Sequence, residues 1–458
     1  MNISSACELL GPASIIGATV SSIEEARIAV ERGANYLGIG TLYATNTKKN
    51  TKDIIGINGI RKILKYLDNG SEAEQNVKTV CIGGVNASNL ARITHQLAAP
   101  SIPSKVPKSI DGVAVVSAII SASDPKAAAS HLFTLSTSAP PFTSHSTAPH
   151  SQLSNPSSEI AHVLSSATKA TKSVRDKSPL SHNMTNLVVQ NFAANIALSI
   201  GASPIMANYG AEAQDLSALG GALVVNMGTV TPDGLLNYKK AITAYNLSGG
   251  PIVLDPVGAG ATSVRRAALA ELMANGYFDL IKGNEREILA VARASGFTIE
   301  DNSQQRGVDS GSALFTLHQR ASIVQRIALR ERNIVLMTGA TDVISDGTRT
   351  YAVSNGHAYL GMITGSGCTL GTTLSAYLAA SPGDKLYAAM AGLLHYEIAA
   401  EEAAGREDVK GPGTFVPAFI DELYRCGVEV AEGKATWEER GRVECLKDVE
   451  DAGLLKEL

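Results

Sequence analysis

Apolar residues gather in short runs at 15–20, 36–40, 79–82 and 112–116, and between these runs they recur at helical spacing over 23–32, 58–67, 87–97 and 125–133. Short unbroken apolar runs read as strands and a period near 3.6 reads as an amphipathic helix, so this part of the chain predicts four βα units on a parallel sheet. The first helix carries signals at both ends. Ser21 and Ser22 with Glu24 and Glu25 offer a capping box, and Gly33 follows the last turn.

The pattern lapses at 134–158, where "TLSTSAPPFTSHSTAPHSQLSNPSS" is rich in Ser, Thr and Pro and almost uncharged, a linker composition. It returns from 159 onward, with fully apolar strands expected at 222–226, 252–255, 279–281 and 334–337. A block of that size, rich in βα units, fits a three-layer α/β/α fold. The expected organisation is therefore a first domain at 1–133, a linker at 134–158 and a second domain at 159–458. The tail beyond Cys426 reads as a charged helical segment forming a solvated cover, and no internal repeat is evident.

Composition narrows the class of function. A length of 458 residues exceeds one typical domain, and 45% hydrophobic against 18% charged residues is enough to bury sizeable cores. A formal net charge of −4 gives no electrostatic reason to expect nucleic acid or an anionic membrane as partner, so an anionic ligand must be held locally. The five cysteines are scattered without CxxC, and the nine histidines form neither HxH nor HExxH, which argues against structural disulfides and zinc. Without a signal-like N-terminus or an 18-residue apolar run, the expected location is cytoplasmic.

Candidate chemistry concentrates in three segments of the second block. "IVLDPVGAGAT" (252–262) is a buried-type strand ending in Asp255 and then a glycine turn, and acids at the carboxyl end of a parallel strand sit where open α/β sheets bind ligands. "DLIKGNEREI" (279–288) ends a strand in Lys282-Gly283-Asn284 and opens a helix carrying Glu287; the lysine suits a phosphate, and Asn284 and Glu287 suit hydrated magnesium. "TGSGC" (364–368) precedes a helical Ala/Leu run. By itself it admits a phosphate cradle, a thiol nucleophile or a plain turn. Taken singly the others have bland readings too: Asp255 a loop cap, Lys282 a solvated charge, Met206 in "SPIMA" a core filler. Together they describe phosphoryl transfer, with a cation, a magnesium-organising acid and an anion hole of Gly365, Ser366 and Gly367 at a helix N-terminus.

On these residues, and on "SPLSHNMTNLVVQNFAANIALSIGASPIMA" (178–207), "MTGATDVI" (337–344) and "KGPGTF" (410–415), the second block resembles hydroxyethylthiazole kinase of thiamine biosynthesis, in the ribokinase-like superfamily. The resemblance implies transfer of the ATP γ-phosphate to 4-methyl-5-(2-hydroxyethyl)thiazole, with magnesium as cofactor. It implies thiazole contacts at Met206 and Gly365 with Asn186 nearby, ATP contacts at Lys282 and Thr338, magnesium at Asp255 and Glu287, and a homo-oligomer. Lys282 stands where relatives often carry Arg, which keeps the charge without the bidentate fork. Cys368 stands where ribokinase-like kinases place a general-base Asp. A thiol whose pKa is lowered by the helix N-terminus can accept a proton, so Cys368 is expected to be a hydroxyl-facing helper and not a covalent nucleophile.

In the first block "IIGATV" (15–20), "LGIGTLYATNTKKN" (37–50), "CIGGVNASNL" (81–90) and "DGVAVVSAI" (111–119) resemble the C-terminal half of thiamine-phosphate synthase, a TIM barrel that joins hydroxymethylpyrimidine diphosphate to thiazole phosphate. That resemblance implies phosphate contacts at Thr19, Thr45, Thr47, Lys48, Gly84, Val116 and Ser117. A barrel needs eight βα units. Here four are readable, and the family's Gln-Leu-Arg-x-Lys segment and magnesium aspartates have no counterpart before Thr19. The expectation is a partial barrel in an N-terminally truncated bifunctional thiamine-biosynthesis enzyme of the fungal type, with its kinase complete. Two alternatives are a kinase of another small alcohol, such as hydroxymethylpyrimidine, and an N-terminal module that only binds phosphate or mediates oligomerisation.

Overall fold

The computed structural model describes residues 3–11, 13–45, 54–98, 107–143, 156–299 and 314–457. The chain divides into two compact units, Met1–Pro141 and Phe142–Glu457.

In the first unit β1 (Gly17–Val20), β2 (Tyr36–Ile39), β3 (Lys78–Ile82) and β4 (Gly112–Ala114) form a parallel sheet in the order β1-β2-β3-β4. Val20, Leu37, Ile39 and Cys81 bury one face of it in a core shared with Ala26, Ile60, Leu64 and Leu90 of the intervening helices. This is the sheet that the alternation of runs and helical periods predicts, with half the strands of a closed barrel. Ser22 caps the Ile23–Glu31 helix by accepting from Glu25 N–H, while the Glu25 carboxylate turns back to the Ser21 backbone amide at 2.7 Å. Gly33, at φ +88°, leaves the helix in the left-handed region.

The helix expected to stop at residue 133 runs from Pro125 to Thr137, into the Ser/Thr/Pro-rich stretch. Asp124 caps its start, and the hydroxyls of Thr134, Ser136 and Thr137 donate to carbonyls one turn back. Hydroxyl-rich sequence thus satisfies itself within a helix although its composition reads as a linker. Farther along the same stretch Phe142 belongs to the second unit. It is 1% exposed, its ring stacks on Tyr277 with centroids 4.3 Å apart, and its carbonyl accepts from Lys385 Nζ. Residues 144–155 of the expected linker lie outside the described residues.

The second unit contains β5 (Leu180–Met184), β6 (Ser203–Ile205), β7 (Ala222–Asn226), β8 (Ile252–Asp255), β9 (Leu280–Asn284), β10 (Phe297–Ile299), β11 (Ile334–Thr338), β12 (Asp342–Ser345), β13 (Thr350–Val353), β14 (Val443–Cys445) and β15 (Leu455–Glu457). One nine-stranded sheet runs β14-β13-β12-β11-β9-β8-β7-β5-β6, and β10 pairs with β15 apart from it. The strands from β6 to β11 are parallel; β12, β13 and β14 extend the sheet antiparallel.

Helices cover both faces. Val253, Ile334 and Leu336 enter a core with the helices Pro156–Lys177, Ser366–Ala380 and Lys385–Ala404, while Ile252, Leu254, Val335 and Met337 enter the opposite core with Pro232–Ser248, Ser263–Asn275 and Leu317–Glu331. Burial on both sides is why these strands appear in sequence as unbroken apolar runs.

The chain beyond Cys426 is not a solvated helical cover. The Pro412–Ala431 helix ends, Trp437 is fully buried, β14 joins the sheet edge beside β13, and β15 pairs with β10. Three-residue strands leave too little alternation to register as strands in the sequence. Among the described residues no helix is long and apolar enough to cross a membrane.

Candidate active site

Six parallel strands of the second unit end on one edge of the sheet, the edge where open α/β sheets bind ligands. In sheet order that edge carries Met206 just past β6, Asn186 past β5, Asn226 ending β7, Asp255 ending β8, Lys282 and Asn284 in β9, and Thr338 ending β11. Five strand steps of about 4.8 Å separate the first from the last, a row about 24 Å long. The ladder sets Asn226 opposite Asp255 and Thr338 opposite Asn284.

At the middle of the row Asp255 Oδ2 lies 3.1 Å from Lys282 Nζ, with side chains 1% and 3% exposed. Oδ2 also accepts from Asn226 Nδ2 at 2.9 Å. Burial works against the Lys282 ammonium, but Asp255, with Cys368 and Glu287, overrides it and holds its pKa above the ordinary lysine value. Lys282, expected to face a phosphate, thus has two protein partners, the second being the Gly367 carbonyl at 2.8 Å. That bond ties β9 to the first turn of the Ser366–Ala380 helix.

The helix starts at Gly365, whose φ of +90° only glycine adopts freely and where a Cβ would stand 2.4 Å from Val189 Cγ1. The first amide bonded within the helix is that of Thr369, to the Gly365 carbonyl, so those of Gly365, Ser366, Gly367 and Cys368 have no intrahelical acceptor and are geometrically suited to an anion. The Ser366 hydroxyl donates to the Leu360 carbonyl at 2.6 Å, and Tyr396 OH donates to the Ser366 carbonyl at 2.8 Å, which fixes the turn from behind.

Glu287 and Asn284 hold each other in a capping box: Asn284 Oδ1 accepts from Glu287 N–H, and Glu287 Oε2 accepts from Asn284 N–H. The other oxygen, Oε1, accepts from Gly258 N–H at 2.8 Å and fastens the glycine turn after β8. Burial, and then the neighbouring charge of Asp255, push the Glu287 carboxyl up to about 7. Burial holds the Asp255 carboxyl above its ordinary value as well, and the hard oxygen donors of the two groups fit a hydrated magnesium ion, whose charge would favour their ionised forms. Among the described residues no group of three or more His, Cys, Asp or Glu is placed to hold a metal ion.

The Cys368 thiol does not show the lowered pKa expected of it. Burial and the charge of Asp255 push its thiol up to about 11, against the lowering expected from the helix N-terminus, so the neutral thiol prevails at physiological pH. Its sulfur accepts from Asn186 Nδ2 at 3.3 Å.

Met206 sits beside Ala207, whose carbonyl binds His182 Nε2 at 2.9 Å while Tyr245 OH binds Nδ1 at 3.2 Å. His182, with its pKa lowered by burial, is a neutral anchor for that loop.

Two contributors escaped the sequence reading. Arg265 donates to the carbonyls of Met227, Val257 and Gly228 at 2.8, 2.8 and 2.7 Å, lacing the loops after β7 and β8 together. Asn226 is fully buried and bridges Asp255 and Asn186. Arg265 carries no sequence signal, whereas Asn226 repeats the sign that singled out Asp255, a polar residue closing an apolar strand.

In the first unit Thr19 lies exposed in β1, Thr45 half-buried past β2, Gly84 past β3, and Val116 and Ser117 exposed past β4. Thr47 and Lys48 lie outside the described residues. Gly83 and Gly84 adopt φ of +102° and +70°, and a Cβ on either would come within 2.8 Å of Thr41 or Tyr43. Close approach of two backbone loops therefore requires glycine here independently of any anion.

A doubly covered parallel sheet, an acid and a lysine paired at its carboxyl edge, and a glycine turn opening a helix above them define a small-molecule phosphotransferase of the open-sheet α/β class. Residues 171–429 match the Hydroxyethylthiazole kinase family and residues 1–119 match Thiamine monophosphate synthase. The probable thiamine biosynthetic bifunctional enzyme of Schizosaccharomyces pombe is 38% identical over 450 residues, covering 97% of this chain and 82% of that protein. The thiamine biosynthetic bifunctional enzyme of Saccharomyces cerevisiae is 33% identical over 448 residues, covering 91% and 78%. Among solved structures, hydroxyethylthiazole kinase from Pyrococcus horikoshii superposes with a TM-score of 0.53 at 35% identity, covering 61% of this chain and 99% of that one. The chain belongs to the hydroxyethylthiazole kinase family, in the bifunctional form that also carries a thiamine monophosphate synthase region.

Proposed function

We propose that the second unit transfers the γ-phosphate of ATP to the hydroxyl of 4-methyl-5-(2-hydroxyethyl)thiazole. The observation that carries this reading is the buried Asp255–Lys282 pair hydrogen-bonded through Gly367 to the glycine turn at 365–367. Charge stabilisation and positioning are most of what phosphoryl transfer requires of a protein. In this assignment Met206, Gly365 and Asn186 hold the thiazole, Lys282 and Thr338 the nucleotide, and the amides of Gly365, Ser366 and Gly367 the migrating phosphoryl oxygens. Asp255 and Glu287 would hold magnesium, which when bound neutralises phosphate charge. Cys368, a thiol at rest, lines the hydroxyl's position and contributes shape more than basicity.

For the first unit we propose binding of the thiazole phosphate made by the second, through Thr19, Thr45, Thr47, Lys48, Gly84, Val116 and Ser117, with hydroxymethylpyrimidine diphosphate as the synthase co-substrate. Exposed Leu187 and Val188, 70% and 69% accessible beside Asn186, support a homo-oligomer with a subunit boundary near the thiazole site. Five free cysteines support a reducing, cytoplasmic location.

Steady-state ATP turnover with purified chain tests the kinase assignment: turnover is expected with the hydroxyethylthiazole and not with hydroxymethylpyrimidine, and the reverse preference overturns it. Incubation with thiazole phosphate and hydroxymethylpyrimidine diphosphate tests the first unit. Formation of thiamine phosphate supports the synthase assignment, and its absence together with no saturable binding of thiazole phosphate overturns it.

A further inference from the structure

We propose that Asn226, at the carboxyl end of β7, is a positioning residue for phosphoryl transfer: its amide selects which oxygen of Asp255 faces the reaction and holds Asn186 against Cys368. The inference rests on the site assignment above, in which Asp255 acts on the nucleotide side and Cys368 lines the substrate hydroxyl.

The polarity of the Asn226 amide is fixed by its surroundings. Gly228 N–H, which can only donate, lies 2.9 Å from Oδ1, so the oxygen must be on that side. Asn186 Nδ2 donates to the same oxygen at 3.0 Å. Asn186 cannot turn over either, because its own Oδ1 accepts from Val188 N–H at 3.1 Å. Asn226 Nδ2 is left facing Asp255 Oδ2 at 2.9 Å.

Oδ2 therefore receives both the Asn226 amide and the Lys282 ammonium, and among the described residues Oδ1 receives no hydrogen bond. An asymmetrically loaded carboxylate keeps one oxygen free for an incoming ligand. At the other end of the chain of amides, Asn186 Nδ2 is shared between Asn226 Oδ1 and Cys368 Sγ, so the sulfur is held as an acceptor. Asn226 thus links the acid at β8 to the helix that carries the glycine turn. Tyr238 OH, donating to the Asn226 carbonyl at 2.9 Å, and full burial hold its backbone still.

The substitutions Asn226→Asp and Asn226→Ala in the full chain test this. Asn226→Asp keeps the acceptor for Gly228 and Asn186 but puts a carboxylate against Asp255; Asn226→Ala removes the amide. The expected result for both is kcat lowered about 10- to 100-fold with KM for the thiazole within about threefold, the loss typical of outer partners of a ligating carboxylate. Calorimetric binding of the thiazole is expected to persist in Asn226→Ala. A kcat within about threefold of wild type, or a loss confined to KM, overturns the inference.

The double exchange Asn226→Asp with Asp255→Asn covers a variant that fails to fold. It restores the amide-to-carboxylate pairing with the charge one strand away, so the melting temperature is expected to recover while kcat stays low; recovery of kcat overturns the inference. Asp255→Asn alone separates the two levels. If it keeps full kcat, the site assignment itself falls; if it abolishes kcat while both single Asn226 variants remain active, only the role of Asn226 falls.

Discussion

Lys282 illustrates how one side chain joins stability to catalysis. Its ammonium faces two buried carboxylates, and removing one member of a buried pair leaves charge without compensation. Lys282→Ala is expected to lower the stability of the second unit by about 3–5 kcal/mol, read by denaturant unfolding, and to abolish ATP turnover. Lys282→Arg keeps the charge, and its turnover should fall less than that of the alanine variant. Cys368 leads to a different expectation. With its thiol raised to about 11, base assistance near neutrality is small, so Cys368→Ser should cost less than about tenfold in kcat and iodoacetamide should alkylate the thiol slowly below pH 9. Retained thiazole phosphorylation in Cys368→Asp, together with no trapped phosphocysteine, would agree with a non-nucleophilic role. At this scale the sequence marked Asp255 and Lys282 because each sits at the end of an apolar run, and the glycines because they open a helical one. It pointed to the wrong sign of the Cys368 shift, since burial against Asp255 outweighs the helix terminus and burial is a property of the fold.

Among the elements, the Ser366–Ala380 helix is held by a buried relay. Trp437 Nε1 donates to Thr171, Thr171 meets Tyr377 OH at 3.0 Å, and Tyr377 OH lies 2.7 Å from His395 Nδ1, whose partner nitrogen donates to the Leu423 carbonyl. Full burial lowers the His395 pKa from 6.5 to about 4, so the folded chain refuses a proton that the unfolded chain accepts. Stability is therefore complete above about pH 6.5 and declines as pH falls toward 4, at up to about 1.4 kcal/mol per unit. Calorimetric unfolding between pH 4 and 7 measures this slope, and His395→Gln should flatten it. Tyr377→Phe strands the Nδ1 acceptor and should cost about 1–3 kcal/mol at neutral pH. Strands buried on both faces were legible as apolar runs, with β7 and β8 at their expected limits. The strands of the tail were not, because three residues at a sheet edge carry no period.

At the scale of the whole molecule, composition and packing draw different boundaries. Residues 134–158 read as a linker, yet Phe142 fills a site against Tyr277 and the Pro156–Lys177 helix begins inside that stretch. A fragment beginning at residue 142 should therefore melt higher than one beginning at 159, and Phe142→Ala should cost about 3–5 kcal/mol in the second unit. Sedimentation of the full chain tests the proposed homo-oligomer. Trp437 is the single tryptophan of the chain, and it is buried in the second unit with its ring 5.4 Å from His395. Indole emission consequently reports one unit alone. Melting curves followed by tryptophan fluorescence and by far-ultraviolet circular dichroism should separate wherever the two units unfold independently, giving the molecule a native optical label on its kinase half.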